Sequence, residues 1–227
     1  MEDTPGTDVA NLEAELQKDL ANLSARVGAP PSNRISTKGK KFTLPTGESN
    51  TSLQGIILDW RHALANYPGV FNANAPQDPD CFAIGTDNPD SGLLKPHPLI
   101  ENPHNDNCAT CPKNQWGSDS NGRGKACKNQ IRAVLVSSNP AEDAMPLTLF
   151  VSPSGLKNWN AYLTELANVH GLAVQQVITE ITFDPNETYP KLQFAMLERH
   201  PFLANVLQLR KQHIDTINRP IELKNKG

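Results

Sequence analysis

Four cysteines confined to one stretch of the chain constrain its fold more than any other sequence feature. They are Cys81, the pair Cys108 and Cys111 in Cys-Ala-Thr-Cys-Pro, and Cys127. A Cys-x2-Cys pair brings two thiolates to one cation across a tight turn, and two further cysteines complete a tetrahedral shell. Zinc is the ion that suits four thiolates, and four protein ligands leave no coordination position for a substrate water. The sequence therefore predicts one structural zinc site built from all four cysteines.

Two disulfides are a competing interpretation of these cysteines. Disulfides persist in oxidising compartments, which a chain enters through a basic and then apolar leader segment. Met1 is followed by Glu-Asp-Thr, so we expect a cytoplasmic protein with reduced cysteines. Since no apolar run reaches membrane-spanning length, we also expect a soluble protein that has no membrane partner.

The cysteines could also include a redox pair, or share their metal with a histidine. A redox Cys-x2-Cys motif normally opens a helix, but Pro112 and the polar, glycine-rich residues after it predict a loop. His97 or His104 can replace one cysteine as a ligand. Cys81 is the weakest member of the set, because it lies far from the pair and is followed by a strand-like Phe-Ala-Ile.

Basic residues are concentrated in two segments of a chain whose net charge is -3. Residues 34–61 carry five basic and two acidic side chains, and residues 113–132 carry five basic and one acidic. The net charge argues against a protein that binds polyanions over its whole surface. The two segments indicate either a local anion-binding face or a pair of solvated loops.

Three regions are predicted along the chain. Residues 1–28 place apolar side chains at three- and four-residue steps, which predicts an amphipathic helix that packs on the body or on another copy of the chain. Residues 29–200 carry short strand-like runs and a long zinc loop over residues 85–129. Residues 201–227 form a C-terminal helix and tail. A homo-oligomer is therefore one expected assembly.

Short strands outnumber helices in the middle region. One helix is predicted from Ser152 to about His170, and the strands at 34–36, 41–44, 53–60, 81–84, 131–136, 147–151, 174–183 and 189–196. A barrel of five or six strands with one inserted helix and helices at both ends fits this order, and an OB-type barrel fits it best. We therefore predict a mainly β fold with α-helices (α+β), an OB-type small β-barrel with a zinc-stapled loop.

Seven blocks of sequence carry a family likeness, among them Gly-Lys-Lys-Phe-Thr-Leu-Pro-Thr-Gly and Gly-Arg-Gly-Lys-Ala-Cys-Lys-Asn. They are residues 39–47, 57–60, 81–85, 108–118, 122–129, 151–157 and 182–190. These blocks resemble a group of bacteriophage proteins generally regarded as single-stranded DNA-binding or recombination-associated. The chain departs from the usual pattern at Gln130 and Ile131, which precede Arg132 and displace one charge of the usual basic pair. The resemblance implies coating or protection of single-stranded DNA in the host cytoplasm, with phage replication or recombination proteins as partners.

Binding of a single strand without sequence preference needs cations for the phosphates and aromatic faces for the bases. Trp116 has only polar and charged neighbours in sequence and is predicted to be exposed, whereas the strand position of Trp60 predicts a core role. Gly117, Gly122 and Gly124 would let the backbone approach a phosphate closely. The candidate nucleic-acid contacts are Lys40, Lys41, Phe42, Arg61, Lys113, Trp116, Arg123, Lys125, Lys128 and Arg132.

The sequence does not predict an enzyme. It has no phosphate-binding glycine loop ending in Lys-Ser or Lys-Thr, no Gly-x-Ser-x-Gly and no His-Glu-x-x-His. Asp59 with His62, and the acidic residues of 78–90, are interpreted as turn and solvating residues rather than as a metal site. The alternative function is a zinc-stapled adaptor that binds proteins and no nucleic acid.

Overall fold

An antiparallel sheet with helices on both faces forms the body of the protein. The computed structural model describes residues 33–69, 77–221 and 223. Interresidue contacts divide the chain into two units, residues 1–33 and 34–227, and all of the strands and helices given below belong to the second unit. Its strands are β1 Phe42–Thr43, β2 Ser49–Asn50, β3 Leu53–Asn66, β4 Cys81–Gly85, β5 Lys128–Ser137, β6 Leu147–Val151, β7 Val177–Phe183 and β8 Leu192–Arg199. Its α-helices are α1 Leu156–Asn168, α2 Leu203–Gln212 and α3 Ile214–Asn218.

The long strand β3 organises the sheet. The strand order is β6-β5-β3-β7-β8, every pair is antiparallel, and β4 also pairs with β3. Strand β5 takes one edge of β3 over residues 55–65. Strands β7 and β4 therefore share the other edge, at residues 53–55 and 62–66 respectively. Strands β1 and β2 form a separate two-stranded sheet.

Both faces of β3 are covered, which explains why its sequence is a nearly continuous apolar run. One face packs on α1, where Trp159 is fully buried and meets Trp60 and Phe194 edge to face. The other face packs on α2 and α3 through a cluster of Ile56, Leu58, Val134, Val136, Val206, Leu209 and Ile217. The core role predicted for Trp60 is confirmed, since its ring packs against the first cluster.

Two arginines fasten the C-terminal helices to the second face. Arg61 donates from Nε to Asn218 Oδ1 at 2.9 Å. Arg132 donates to the backbone carbonyls of Ile217 and Arg219 at the end of α3. Both arginines are buried, with 8% and 5% of their surface exposed. They are therefore structural residues, and the prediction that both contact a nucleic acid directly is wrong.

The predicted fold class is confirmed at the coarse level, as a mainly β protein with helices. Strands β6 and β8, at the two ends of the strand order, do not pair within the described residues, so the sheet is open and the predicted closed barrel is not formed. The predicted strand at 34–36 is reduced to isolated bridges at Arg34 and Ser36. The predicted N-terminal helix over residues 1–28 lies outside the described residues.

Among the residues that the structure describes, no helix has the length and apolar character needed to cross a membrane.

Candidate metal centre and nucleic-acid face

Two of the four cysteines flank the last residue of β3, one at the start of β4 and one directly before β5. Cys81 begins β4 and pairs with Asn66, the last residue of β3. Cys127 immediately precedes Lys128, which begins β5 and pairs with Ala65. The antiparallel register therefore places Cys81 and Cys127 on the two sides of Asn66, although they are far apart in sequence. Only the formation of these three strands brings the two cysteines together.

The other two cysteines belong to a turn held by its own amide side chains. The side-chain Nδ2 of Asn114 donates to Cys108 O at 2.8 Å, and its backbone N–H donates to Cys111 O at 2.9 Å. Gln115 Nε2 donates to Ala109 O and to Cys111 O, at 2.8 and 3.1 Å. These bonds fix the Cys-x2-Cys turn from the residues that follow it. The turn continues as a single 3-10 turn, Pro112–Asn114, so the predicted loop is confirmed.

All four cysteines line one cavity beneath this turn, together with Leu64, Asn66, Phe82, Ala83, Pro96, His104, Asn105, Lys113 and Asn114. The cavity has a volume of about 20 Å³. That is room for one atom or ion and not for an organic ligand. Leu64, Ala83 and Leu94 pack with Cys108 and Cys127 in a small apolar cluster, so one side of the cavity is apolar.

The two candidate histidine ligands have different positions. His104 lines the cavity, and its Nε2 atom is 2.9 Å from Asn66 Oδ1. Burial raises the pKa of the Cys81 thiol, and the backbone amide of His104, which donates to this thiol, offsets part of that rise. His97 is not among the lining residues; it stacks on Phe82 with ring centroids 4.8 Å apart, and its Nδ1 accepts from the Leu99 amide. Of the two, only His104 lines the cavity.

The thiols influence one another electrostatically. Burial, then the neighbouring cysteines, raises the pKa of Cys127 to about 12 and that of Cys108 to about 11. The net pKa of Cys81 is also raised, first by burial and then by Cys111. All four are free thiols, so the disulfide interpretation finds no bond in this structure.

Four cysteines that line one small cavity suit a soft divalent cation, because its positive charge would stabilise the thiolates that burial and mutual repulsion disfavour. Within residues 33–69, 77–221 and 223, no group of three or more Cys, His, Asp or Glu side chains is already drawn together as a formed metal cluster. Zinc at Cys81, Cys108, Cys111 and Cys127 therefore stays a prediction, which the donor set favours.

Residues 112–127, which we call the knuckle loop, fold back on themselves next to this cavity. The Cys127 amide donates to Lys113 O at 2.7 Å, and the Gly117 amide donates to Gly124 O at 2.9 Å. Ser118 Oγ links the two arms, because it donates to Lys113 O and accepts from the Ala126 amide. The arm that carries Trp116 thus lies against the arm that carries Arg123.

Trp116 is the most exposed large apolar side chain among the described residues, at 78% of its surface. The predicted exposure is confirmed. Lys113, Arg123 and Lys128 are exposed on the same two arms or directly after them. Lys125 is partly buried, and its ammonium group lies 3.7 Å from the carboxylate of Asp90. An exposed indole with cations on the same loop is the arrangement that the sequence predicted here.

The glycines of the knuckle loop serve its own turns. Gly117 and Gly122 have φ values of 83° and 67°, in the left-handed region that favours glycine. A Cβ atom at Gly124 would lie 2.7 Å from the Asp119 carboxylate, which accepts from the Arg123 amide. The close approach that Gly124 permits is therefore an approach to Asp119.

Two further predicted contact residues are engaged elsewhere. Phe42 is fully buried and stacks on Phe183 with ring centroids 4.3 Å apart, so it is a core residue and not a stacking platform. Lys40 donates from Nζ to Asp184 O and Glu187 O, each at 2.8 Å, and holds the β7–β8 hairpin. Lys41 is exposed beside β1 and lies outside the knuckle loop. Because Arg61 and Arg132 are also buried, the predicted nucleic-acid contacts that lie together at the surface are those of the knuckle loop and Lys128.

Three residues that position the site were not singled out from the sequence: Asn66, Asn114 and Gln115. The signal for the last two was present, because amide side chains shortly after Cys-x2-Cys-Pro are suited to donate to the carbonyls of that turn. Asn66 gave no such signal, since its role depends on strand register.

Comparison of the chain with protein-family models, with curated proteins and with solved structures finds no match.

Proposed function

We propose that the protein binds single-stranded DNA with little sequence preference, and that the knuckle loop is the binding face. The observation that carries the proposal is the exposed Trp116 among Lys113, Arg123 and Lys128. Tryptophan in a polar loop loses free energy by exposing its ring to water, so a loop that holds it outward suggests a planar partner. An unpaired base is such a partner, and a paired base is not.

The charges of the loop suit the phosphates next to that base. Lys113 and Lys128 are brought to the same end of the loop by the bond between Cys127 and Lys113, and Arg123 lies on the arm opposite Trp116. Stacking contributes roughly 1 to 3 kcal/mol per base, and each cation adds a contact that weakens with salt. One indole with three cations is enough for sequence-tolerant binding of a short stretch.

The metal in this proposal has a structural role. Zinc held by Cys81, Cys108, Cys111 and Cys127 would join both ends of the knuckle loop to the strands β4 and β5, and it would supply no reaction chemistry. The same proposal includes a relationship of this open sheet to the OB-type barrel. The register shifts between Ile57 and Asp59 and between Ile178 and Thr179 support this proposal, because β-bulges are the devices that bend strands in small barrels.

The proposal is tested by fluorescence titration of labelled oligothymidylate and of a duplex of equal length, at about 50 mM and about 200 mM salt. We expect tighter binding of the single strand, and a loss of affinity at the higher salt of about 10- to 20-fold, as for three phosphate contacts. Equal affinity for the two DNA forms, or no binding at low salt, would refute the proposal.

Replacement of Trp116 by alanine is expected to weaken single-strand binding by roughly 1 to 3 kcal/mol, because one stacking platform is lost. The dependence of the affinity on salt should stay the same, since no cation is removed. Arg123→Ala and Lys128→Ala should instead each reduce the salt slope by about 0.7. Titration of each variant over a series of salt concentrations measures both quantities.

Two exposed residues outside the loop serve as matched controls. Tyr189→Ala removes an exposed aromatic ring and Lys211→Ala an exposed cation, and neither should alter binding to the knuckle loop. If Trp116→Ala lowers the melting temperature while the affinity per folded molecule is unchanged, Trp116 has a structural role and the stacking part of the proposal fails.

A protein-binding adaptor is the second candidate, favoured by apolar side chains on the outside of the C-terminal helices. Leu203 and Leu207 are four residues apart on α2 and are 36% and 40% exposed, and Ile214 on α3 is 43% exposed. An adaptor would show no retention on single-stranded DNA at any salt concentration. The oligothymidylate titration therefore separates the two candidates.

A further inference from the structure

Four arginines, which we call the arginine cluster, lie along the junction of the C-terminal helices with the central strands: Arg61, Arg132, Arg210 and Arg219. Arg61 and Arg132 are direct partners in the pairing of β3 with β5. Arg210 lies in the last turn of α2, and Arg219 directly follows α3. Like charges on opposite residues of a sheet repel each other, so this pairing requires negative charge nearby.

One carboxylate meets two of these guanidinium groups. Asp59 Oδ1 lies 3.0 Å from Arg61 Nη1, and Asp59 Oδ2 lies 2.8 Å from Arg210 Nη2. The ion pairs of the described residues give Arg132 no carboxylate. Among the ion pairs of the described residues, Arg61 and Arg210 thus share the charge of Asp59, and Arg132 has no carboxylate partner.

Arg132 is the group whose charge is compensated least. Only 5% of its surface is exposed, and its Nη atoms donate to two backbone carbonyls. Its Nε atom is buried and has no hydrogen-bond partner among the described residues. Burial, then the charges of Arg61 and Arg219, lowers the pKa of Arg132 to about 10. Carbonyl dipoles carry only partial negative charge, so a full positive charge at this position favours an added anion.

We propose that the arginine cluster binds a phosphate group. Guanidinium groups bind phosphate through paired, charge-assisted hydrogen bonds, and a buried positive charge strengthens the attraction because the local dielectric constant is low. The approach is from the helix side: the Arg210 side chain is 43% exposed, and Arg219 is exposed beside Asn218, the partner of Arg61. Arg210 and Arg219 are the direct contacts, while Arg61 and Arg132 supply the field beneath them.

The phosphate has two chemical sources, a nucleic-acid strand or a free phosphate compound. Lys128 precedes Arg132 by four residues on the same strand, so it is about 13 Å away and on the same face by alternation. A strand held on the knuckle loop would span this distance with a few nucleotides. The nucleic-acid source rests on the proposed function, and the free phosphate source does not.

The experiment uses the full chain and follows its melting temperature in sodium phosphate and in sodium chloride at equal ionic strength. We expect a rise of roughly 3 to 6 °C in phosphate at about ten times the dissociation constant, beyond any change in chloride. Arg210→Gln and Arg219→Gln should each abolish most of this rise, and isothermal titration should show a severalfold weaker affinity for phosphate. Lys211→Gln, which removes an exposed cation next to Arg210, is the matched control and should leave the rise intact.

Equal melting temperatures in phosphate and chloride, or an equal loss of the effect in Lys211→Gln, would overturn the proposal. Two further measurements distinguish a nucleic-acid strand from a free phosphate compound as the source of the phosphate. If phosphate competes with oligothymidylate beyond the effect of ionic strength, and Arg219→Gln weakens both ligands, the source is a nucleic-acid strand. If oligothymidylate does not bind but phosphate still stabilises the protein, the cluster binds free phosphate, and the proposed function fails separately. Trp116→Ala should leave the phosphate effect unchanged in either case.

Discussion

Cys127→Ser protein is expected to lose the zinc that we propose and, with it, at least about tenfold of the proposed affinity for single-stranded DNA. A serine hydroxyl is a poor zinc ligand at neutral pH, and a structural site with three remaining thiolates holds the metal weakly. The loss reaches the binding face because Cys127 is bonded through its amide to Lys113, so the two arms of the knuckle loop part when the site opens. Elemental analysis measures the metal, which should fall from about one zinc per chain to below about one tenth.

Thr110→Ser is the matched control for this change. Thr110 lies inside the Cys-x2-Cys turn, is exposed, and uses a hydroxyl that serine keeps, so metal and binding should both persist. Limited proteolysis gives a second readout: cleavage within residues 86–126 should become much faster in Cys127→Ser, while the sheet stays resistant. Purified wild-type protein with far less than one zinc per chain would contradict the metal assignment itself.

Arg132→Ala is expected to lower the free energy of unfolding by about 2 to 4 kcal/mol. The change leaves the carbonyls of Ile217 and Arg219 without their donors, and it opens a space beneath α3. For a chain of this length the melting temperature should fall by roughly 5 to 15 °C. Thermal and urea denaturation followed by circular dichroism measure both quantities.

Lys128→Ala removes a cation from the same strand and the same face, but an exposed one, and should change the stability by less than about 0.5 kcal/mol. The two variants therefore test two different expectations for β5: that the buried Arg132 contributes to stability, and that the exposed Lys128 contributes to the salt dependence of the proposed binding. An Arg132→Ala protein as stable as Lys128→Ala would show that α3 is not held by these bonds.

The strands of the sheet were largely predictable, because their signal is local. Leu147–Val151 forms β6 with the predicted bounds, and Ile131–Val136 lies within β5. The strand predicted at 53–60 extends to Asn66 in the structure. The prediction ended too early because Arg61 and His62 interrupt the apolar run, although both remain in the strand. The open sheet was not predictable, because closure depends on which edge strands meet, and that is set by helices packed on both faces.

The position of the four cysteines around one cavity agrees with the sequence prediction, whereas the exposure of the basic residues was predictable only in part. The Cys-x2-Cys spacing reports directly on the turn of Cys108 and Cys111, whereas Cys81 and Cys127 join that turn only through strand register. Charge reports on exposure only when a residue has no distant partner. The partners of Arg132 lie 85 and 87 residues away in sequence, and Arg61 meets Asn218 across 157 residues. Phe42 likewise looks like part of a basic segment until Phe183 stacks on it. Trp116 was predicted correctly because no distant part of the described chain covers it.

The position of Cys81 and Cys127 on either side of Asn66 makes the cavity a sensor of correct strand alignment during folding. A slip of one residue between β3 and β4 would turn Cys81 to the opposite face of the sheet, and the same slip in β5 would turn Cys127 away. Cys108 and Cys111 share a local turn and can meet an ion before the sheet exists. A four-ligand site, in contrast, can form only when β3, β4 and β5 are aligned. If the metal binds as proposed, its tight uptake during refolding would therefore occur together with completion of the sheet and would disfavour chains with misaligned strands.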